Sequence, residues 1–434
     1  MDKMADVLGR AGAWCGQNKY LSAIKNAFQN FMPLTIAGAI GVLWCNVLVN
    51  DQTGLGLFFK PIMALDFLNP AFQAVNFCTI SCITVGITLG IAQEIGIWNM
   101  GAEKAGYIPG LVGLAAWLSV TNTSHMVEGA KAAFTGISGN ELGATGLFTG
   151  MIIGVLSVEL FCFFEKQDAL KIKMPEQVPP GVARAFEVLV PATITLIITA
   201  CIGSACYNLT GLYLNDVIKN GIQGPLGAVG ATIPGVMIIY LVIMLFWLVG
   251  IHGNNMLSAV KEALFTPLAL ENVEAFNKGE TPKNIINMYF LQMCGEFGGS
   301  GVTIGLVIAI MIFGKREDNK AIASLSLVPG LFNINETVTF GIPMVLNPIL
   351  GIPFVFACLV TILVGYVLTV IGFCPVACLT VPWTTPPIVF GFLATGANIM
   401  GAVTQAILIV VSTVIYVPFL ITYEKYQNKQ AAEA

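Results

Sequence analysis

Apolar residues run along this chain in long unbroken blocks rather than in the short amphipathic stripes of a soluble domain. Residues 26–50, 67–93, 188–215 and 220–251 carry no Asp, Glu, Lys, Arg or His, and 142–158 and 297–314 are shorter blocks of the same kind. The longest, 337–423, is 87 residues without Asp, Glu, Lys, Arg or His. One helical crossing of about 30 Å of hydrocarbon needs about 20 residues at roughly 1.5 Å each, so this block alone holds three or four crossings. Backbone amides in lipid must be bonded internally, which leaves helices or closed barrels. Barrel strands would alternate apolar and polar residues over about ten positions. These blocks do not, so the pattern predicts an all-α polytopic membrane protein with about ten transmembrane helices.

Composition agrees. Of 434 residues, 56% are hydrophobic and 10% are charged, against about 25% charged in soluble domains. The net charge of −4 offers no field for nucleic acid. Most of the eleven cysteines sit inside apolar blocks and none has zinc-type spacing, so they read as small buried hydrophobes. No nucleotide motif or metal-ligand array is present, and no cofactor is expected. The first twenty residues lack a signal-peptide pattern and read as a cytosolic lead-in helix.

Basic residues set the expected orientation. Lys3, Arg10, Lys19 and Lys25 precede the first block; Lys166, Lys171, Lys173 and Arg184 flank or fill a proline-bearing loop. Lys315, Arg316 and Lys320 form a third group, and Lys425 and Lys429 follow the last block. These four places hold 13 of the 20 basic residues, so both termini and the 165–187 loop are expected in the cytosol. Alternation then requires 253–314 to cross twice or not at all, although only 297–314 is fully apolar; re-entrant segments would resolve this. A division into a scaffold (1–225) and a functional half (226–434) follows from where the unusual polar features lie.

Four segments in that second half carry candidate chemistry. Glu336, in GLFNINETVTFGIPMVLNP, is the only carboxylate between Lys320 and Glu424, a stretch of 103 residues. A carboxylate at membrane depth costs several kcal/mol unless paired or wetted. Pro329-Gly330 and Gly341/Pro343 bracket it with helix breakers, and Asn333 and Asn335 flank it. A broken helix bearing Asn and Glu could bind sugar hydroxyls; the plainer alternative is an interfacial loop. His252 ends an apolar run between Gly250 and Gly253, with Asn254 after it and Trp247 before it. It fits either a sugar-binding imidazole beside an indole platform or a headgroup-level pair. GEFGGSGVTIG, with Gly299 and Ser300, fits a backbone anion cradle or close packing equally. VPWTTPPIVFG breaks the longest block at three prolines and Trp383, as a discontinuous helix or an interfacial turn.

At these residues the chain resembles the lactose/cellobiose/diacetylchitobiose family of phosphotransferase-system enzyme IIC proteins. The likeness rests on AIKNAFQNFMPLTIAGAI (23–40), IKMPEQVPPGVARAFEVLVPA (172–192), FWLVGIHG (246–253), TPLALEN (266–272), GGSGVTIGL (298–306) and FNINETVTFGIPMVLNPILGIPF (332–354), spread over nearly the whole chain. It implies a homodimer of ten-span protomers with re-entrant hairpins, the N-terminal half forming the dimer contact and the C-terminal half holding a β-linked disaccharide. His252 and Glu336 match the family's sugar-binding and catalytic positions; Trp247, Asn254, Asn335, Gly299, Ser300 and Trp383 fall in segments beside them. Thr337 stands where the family commonly has proline, which frees a backbone N–H at that point. The resemblance also implies separate IIB and IIA proteins, with a phosphocysteine on IIB donating to the sugar 6-hydroxyl. The rival expectation from the residues alone is a cation-coupled secondary transporter using Glu336.

Overall fold

The computed structural model describes residues 10, 13–14, 17–51, 55–125, 134–175, 177–342 and 344–433. The N-terminal lead-in and Pro343 lie largely or wholly outside the described residues. Apart from a two-residue ladder pairing Ser124–His125 with Phe134–Thr135, the regular elements of the described chain are helices. Five helices are long and apolar enough to cross a membrane: α1 (Lys19–Leu43, extended to Leu48), α4 (Ala144–Glu165), α5 (Pro180–Thr210), α12 (Gly351–Val370) and α14 (Ile399–Glu433). Counting each of two bent pairs as one span brings the number to seven. One joins Lys60–Ser81 to α2 (Ile83–Met100) at 43°, the other Met288–Val302 to α9 (Ile304–Phe313) at 59°. Two shorter apolar helices, α3 (Ile108–Val120) and α6 (Ile233–Leu248), complete the set among the described residues. The remaining labels are α7 (Ser258–Asn277), α8 (Met288–Gly295), α10 (Glu317–Leu331), α11 (Glu336–Gly341) and α13 (Val389–Ala394).

The chain forms two compact units. One comprises Gln17–Gly38 and Ala74–Gly227; the other comprises Ala39–Gln73 and the chain from Ala228 onward. Ala39–Gln73 thus belongs with the later residues, and the Asn46 amide donates to Asn277 Oδ1 at 2.9 Å within that unit.

In the first unit, small residues let helices approach closely. A Cβ at Gly150 would meet Thr88 at 2.2 Å, and one at Gly113 would meet Ala92 at 2.3 Å. Ile87, Ile91, Ala116, Trp117, Leu147 and Phe161 fill the space between α2, α3 and α4. Two buried hydroxyls bond across helices: Thr84 donates to the Gly143 carbonyl at 2.7 Å and Thr149 to Asn215 at 2.6 Å. The buried Glu165 carboxylate accepts from Lys104 (2.9 Å) and Arg184 (3.0 Å), and Arg184 also reaches Glu187 at 2.7 Å. His125, in the ladder, is half-buried, its ring 5.7 Å from that of Phe134.

The second unit is built from broken helices. The 253–314 stretch runs as the helical α7, an extended return, and the bent α8–α9 pair. Asparagines hold the return in place. Asn287 accepts the Tyr289 and Phe290 N–H groups as the N-cap of α8 and donates to the Ala377 carbonyl at 3.0 Å. Asn272 donates to the same carbonyl at 3.1 Å. In α14, Gln405 accepts from the Ile388 and Gly391 N–H groups, each at 2.7 Å, and donates to the Met293 carbonyl at 3.1 Å. Breaks in apolar helices leave backbone groups unpaired, and these carboxamides re-satisfy them.

Candidate functional site

His252 and Glu336 each follow a helix that ends by the same device. Ile251 N–H bonds to Phe246 O at 3.0 Å and Gly250 N–H to Trp247 O at 2.9 Å, with Gly250 at φ 81°. Ile334 N–H bonds to Pro329 O at 3.0 Å and Asn333 N–H to Gly330 O at 3.1 Å, with Asn333 at φ 63°. Both are Schellman closures, in which one left-handed residue turns the chain out of the helix. His252 then caps the short helix Gly253–Met256, its Nδ1 accepting the Asn255 N–H at 3.3 Å. That bond leaves the proton of a neutral imidazole on Nε2, as inferred from the hydrogen-bond network. Glu336 opens α11.

These closures bring together two side chains 84 positions apart. His252 Nε2 lies 3.9 Å from Glu336 Oε1, and the side chains are 38% and 47% exposed. The gap is longer than a hydrogen bond, so this donor and acceptor face each other without closing on each other. Trp247 stands behind the imidazole, ring centroids 4.4 Å apart, with Phe354 edge-on to the indole at 6.5 Å. At 3% exposure the indole supports His252 and does not present a free face.

Beside His252 and Glu336 lie the buried Ser300 and Asn335 and the half-buried Asn254. Asn254 donates to Ser300 Oγ at 3.0 Å, and Asn335 to the Ser300 carbonyl at 2.8 Å. The GGSG turn owes its glycines to shape: Gly298, Gly299 and Gly301 all have positive φ. A Cβ on Gly299 would meet Asn335 at 2.6 Å, and one on Gly301 would meet Phe354 at 2.4 Å. Close packing therefore accounts for this turn. Asn333 accepts the Gly298 N–H at 2.6 Å and donates to the carbonyls of Trp383 and Thr385. The Trp383 side chain is 45% exposed. The sequence-predicted residues thus divide into two exposed ones, Glu336 and Trp383, two half-buried ones, His252 and Asn254, and a buried set, Trp247, Asn335, Gly299 and Ser300.

Sequence reasoning missed one cluster. Lys261 pairs with Glu296, whose Oε1 also accepts from the Tyr240 hydroxyl at 2.7 Å; Lys261 further reaches Asn254 Oδ1 at 3.5 Å. The only signal was an excess of charge over 261–296, and nothing in it pairs residues 35 positions apart with a tyrosine in α6. Among the described residues no group of His, Cys, Asp or Glu could hold a metal ion.

Broken apolar helices that converge an imidazole and a carboxylate define a polytopic helical membrane permease. The comparisons name its family: "Phosphotransferase system, EIIC" matches residues 25–358. The chain belongs to that family, as an integral-membrane permease component of a sugar phosphotransferase system. It is 33% identical to the oligo-β-mannoside-specific EIIC component of Bacillus subtilis, over 98% of this chain and 94% of the relative. It is 29% identical to the cellobiose-specific EIIC component of Lactococcus lactis, over 98% of each. Among solved structures, it is similar to the transporter ChbC, the IIC component from the N,N'-diacetylchitobiose-specific phosphotransferase system. The TM-score is 0.88 at 29% identity, covering 97% of both chains.

Proposed function

We propose that this permease binds a β-linked disaccharide of the cellobiose or diacetylchitobiose type at Glu336 and His252. The sugar is presented for phosphorylation of its 6-hydroxyl by a phosphocysteine on a separate IIB protein, itself charged by IIA. The observation that carries the reading is the 3.9 Å approach of His252 Nε2 to Glu336 Oε1, with both side chains open. A sugar hydroxyl between them donates to the carboxylate and accepts from Nε2–H, satisfying both groups at once. The names of the relatives, which act on cellobiose, lichenan, oligo-β-mannosides and diacetylchitobiose, support a β-linked substrate.

Phosphoryl transfer asks mainly for positioning and charge stabilisation. Glu336 orients the 6-hydroxyl toward the incoming phosphoryl group, and the imidazole N–H offsets part of its charge. In this reading residues 1–225 form the scaffold and the contact of a homodimer, and 226–434 carry the sugar across, with both termini cytosolic.

The test is binding of a β-disaccharide panel to purified protein and to Glu336→Gln and Glu336→Ala. Loss of a hydrogen bond to a charged group weakens binding by roughly 10- to 100-fold. Unchanged affinity in Glu336→Ala overturns the site. In vesicles lacking IIB and phosphoenolpyruvate, a proton gradient should drive no accumulation of sugar; accumulation of unmodified sugar would establish the cation-coupled alternative.

A further inference from the structure

We infer that Asn333 is a positioning residue that sets the site's preference for a disaccharide over a single sugar, by fixing Trp383 relative to the His252–Glu336 pair. The inference rests on the sugar site proposed above.

The two Schellman closures of the site use different residues at the left-handed position, Gly250 in one and Asn333 in the other. Glycine takes that conformation without steric cost, whereas asparagine is the side-chain-bearing residue that tolerates it best. The closure therefore does not need a carboxamide. What the carboxamide does is bond three backbone groups from two other broken segments. Oδ1 accepts the Gly298 N–H at 2.6 Å; Nδ2 donates to the Trp383 carbonyl and, at 3.2 Å, to the Thr385 carbonyl. Both amide hydrogens are used, on carbonyls of the proline-broken segment that bears Trp383.

The GGSG turn and the Trp383 segment are thus held to the chain three residues before Glu336. Among the described residues, this Asn333 amide is what bonds the Trp383 carbonyl to the glutamate-bearing segment. The exposed Trp383 indole offers an apolar face, and such a face packs against a sugar ring. A first sugar ring held at Glu336 and His252 owes nothing to Trp383's placement; a second ring does. Moving Trp383 should therefore cost disaccharide binding and spare the monosaccharide.

The experiment compares cellobiose with methyl β-glucoside, and diacetylchitobiose with N-acetylglucosamine, on wild type, Asn333→Gly, Asn333→Asp and Glu336→Ala. Asn333→Gly keeps the left-handed backbone and removes all three bonds. Asn333→Asp keeps the acceptor for Gly298 and turns the donors into an acceptor facing two carbonyls. Both should remain monodisperse in detergent, with the disaccharide-to-monosaccharide affinity ratio lowered about tenfold. A purely structural role would lower the number of competent sites and leave that ratio alone, and an unchanged ratio in both Asn333 variants overturns the inference. Glu336→Ala separates the two claims: loss of both sugars there with an unchanged ratio in the Asn333 variants defeats the inference alone. Retention of both sugars in Glu336→Ala defeats the site and the inference together.

Discussion

At the scale of single residues, His252 draws its specificity from what holds its other nitrogen. With Nδ1 accepting the Asn255 N–H and Trp247 packed behind the ring, Nε2 is the atom left to face Glu336. If its part is one neutral hydrogen bond to the sugar, His252→Ala should weaken disaccharide binding about 3- to 10-fold, by roughly 0.5–1.5 kcal/mol. His252→Gln, which retains an N–H at similar reach, should recover part of that loss. Titration calorimetry reads both, and equal losses in the two variants would show that the ring matters for packing only. Glu336 was legible in the sequence because a lone carboxylate in 103 residues is conspicuous in an apolar setting. Trp247 was legible as a residue of interest but not in its orientation, because burial depends on Phe354, more than a hundred residues on.

At the scale of elements, the second unit depends on helices that stop inside apolar sequence. The glycines, prolines and asparagines that stop them are visible in the chain, since each changes the backbone locally. The partners that satisfy the freed groups are not. The buried Lys261–Glu296 pair ties α7 to the turn after α8, with Tyr240 of α6 on the same oxygen. Removing one member of a buried pair leaves an uncompensated charge, at a cost of about 3–5 kcal/mol. Lys261→Met should therefore lower the thermal transition of the detergent-solubilised protein markedly. The double variant Lys261→Met with Glu296→Gln should regain much of the loss. A single variant as stable as wild type would show that the pair is solvated and carries little.

At the scale of the whole molecule, charge asymmetry bears on orientation. The basic groups before α1, around the 165–187 loop, at 315–320 and after α14 all belong on the cytosolic side if the bias of short loops sets topology. A green fluorescent protein fused after residue 434 should fluoresce, and alkaline phosphatase at the same point should be inactive. The reverse result would invert the orientation. The 59° bend between α8 and α9 is the kind of break that a re-entrant segment over 253–314 requires, and a single broken span has the same form.

By itself the sequence determined the solvent, the helical class and the positions of the breaks, because each follows from local chemistry: continuous apolar blocks demand lipid and internal hydrogen bonds. Motifs spread over nearly the whole chain also carried the family resemblance. Only the tertiary structure decided which breaks meet. It placed His252 against Glu336, turned Trp247 inward, exposed Trp383 and gave Asn333 three backbone partners. The physical reason is that hydrogen bonds and packing between segments tens of residues apart depend on distances in space, which no local pattern of residue types encodes.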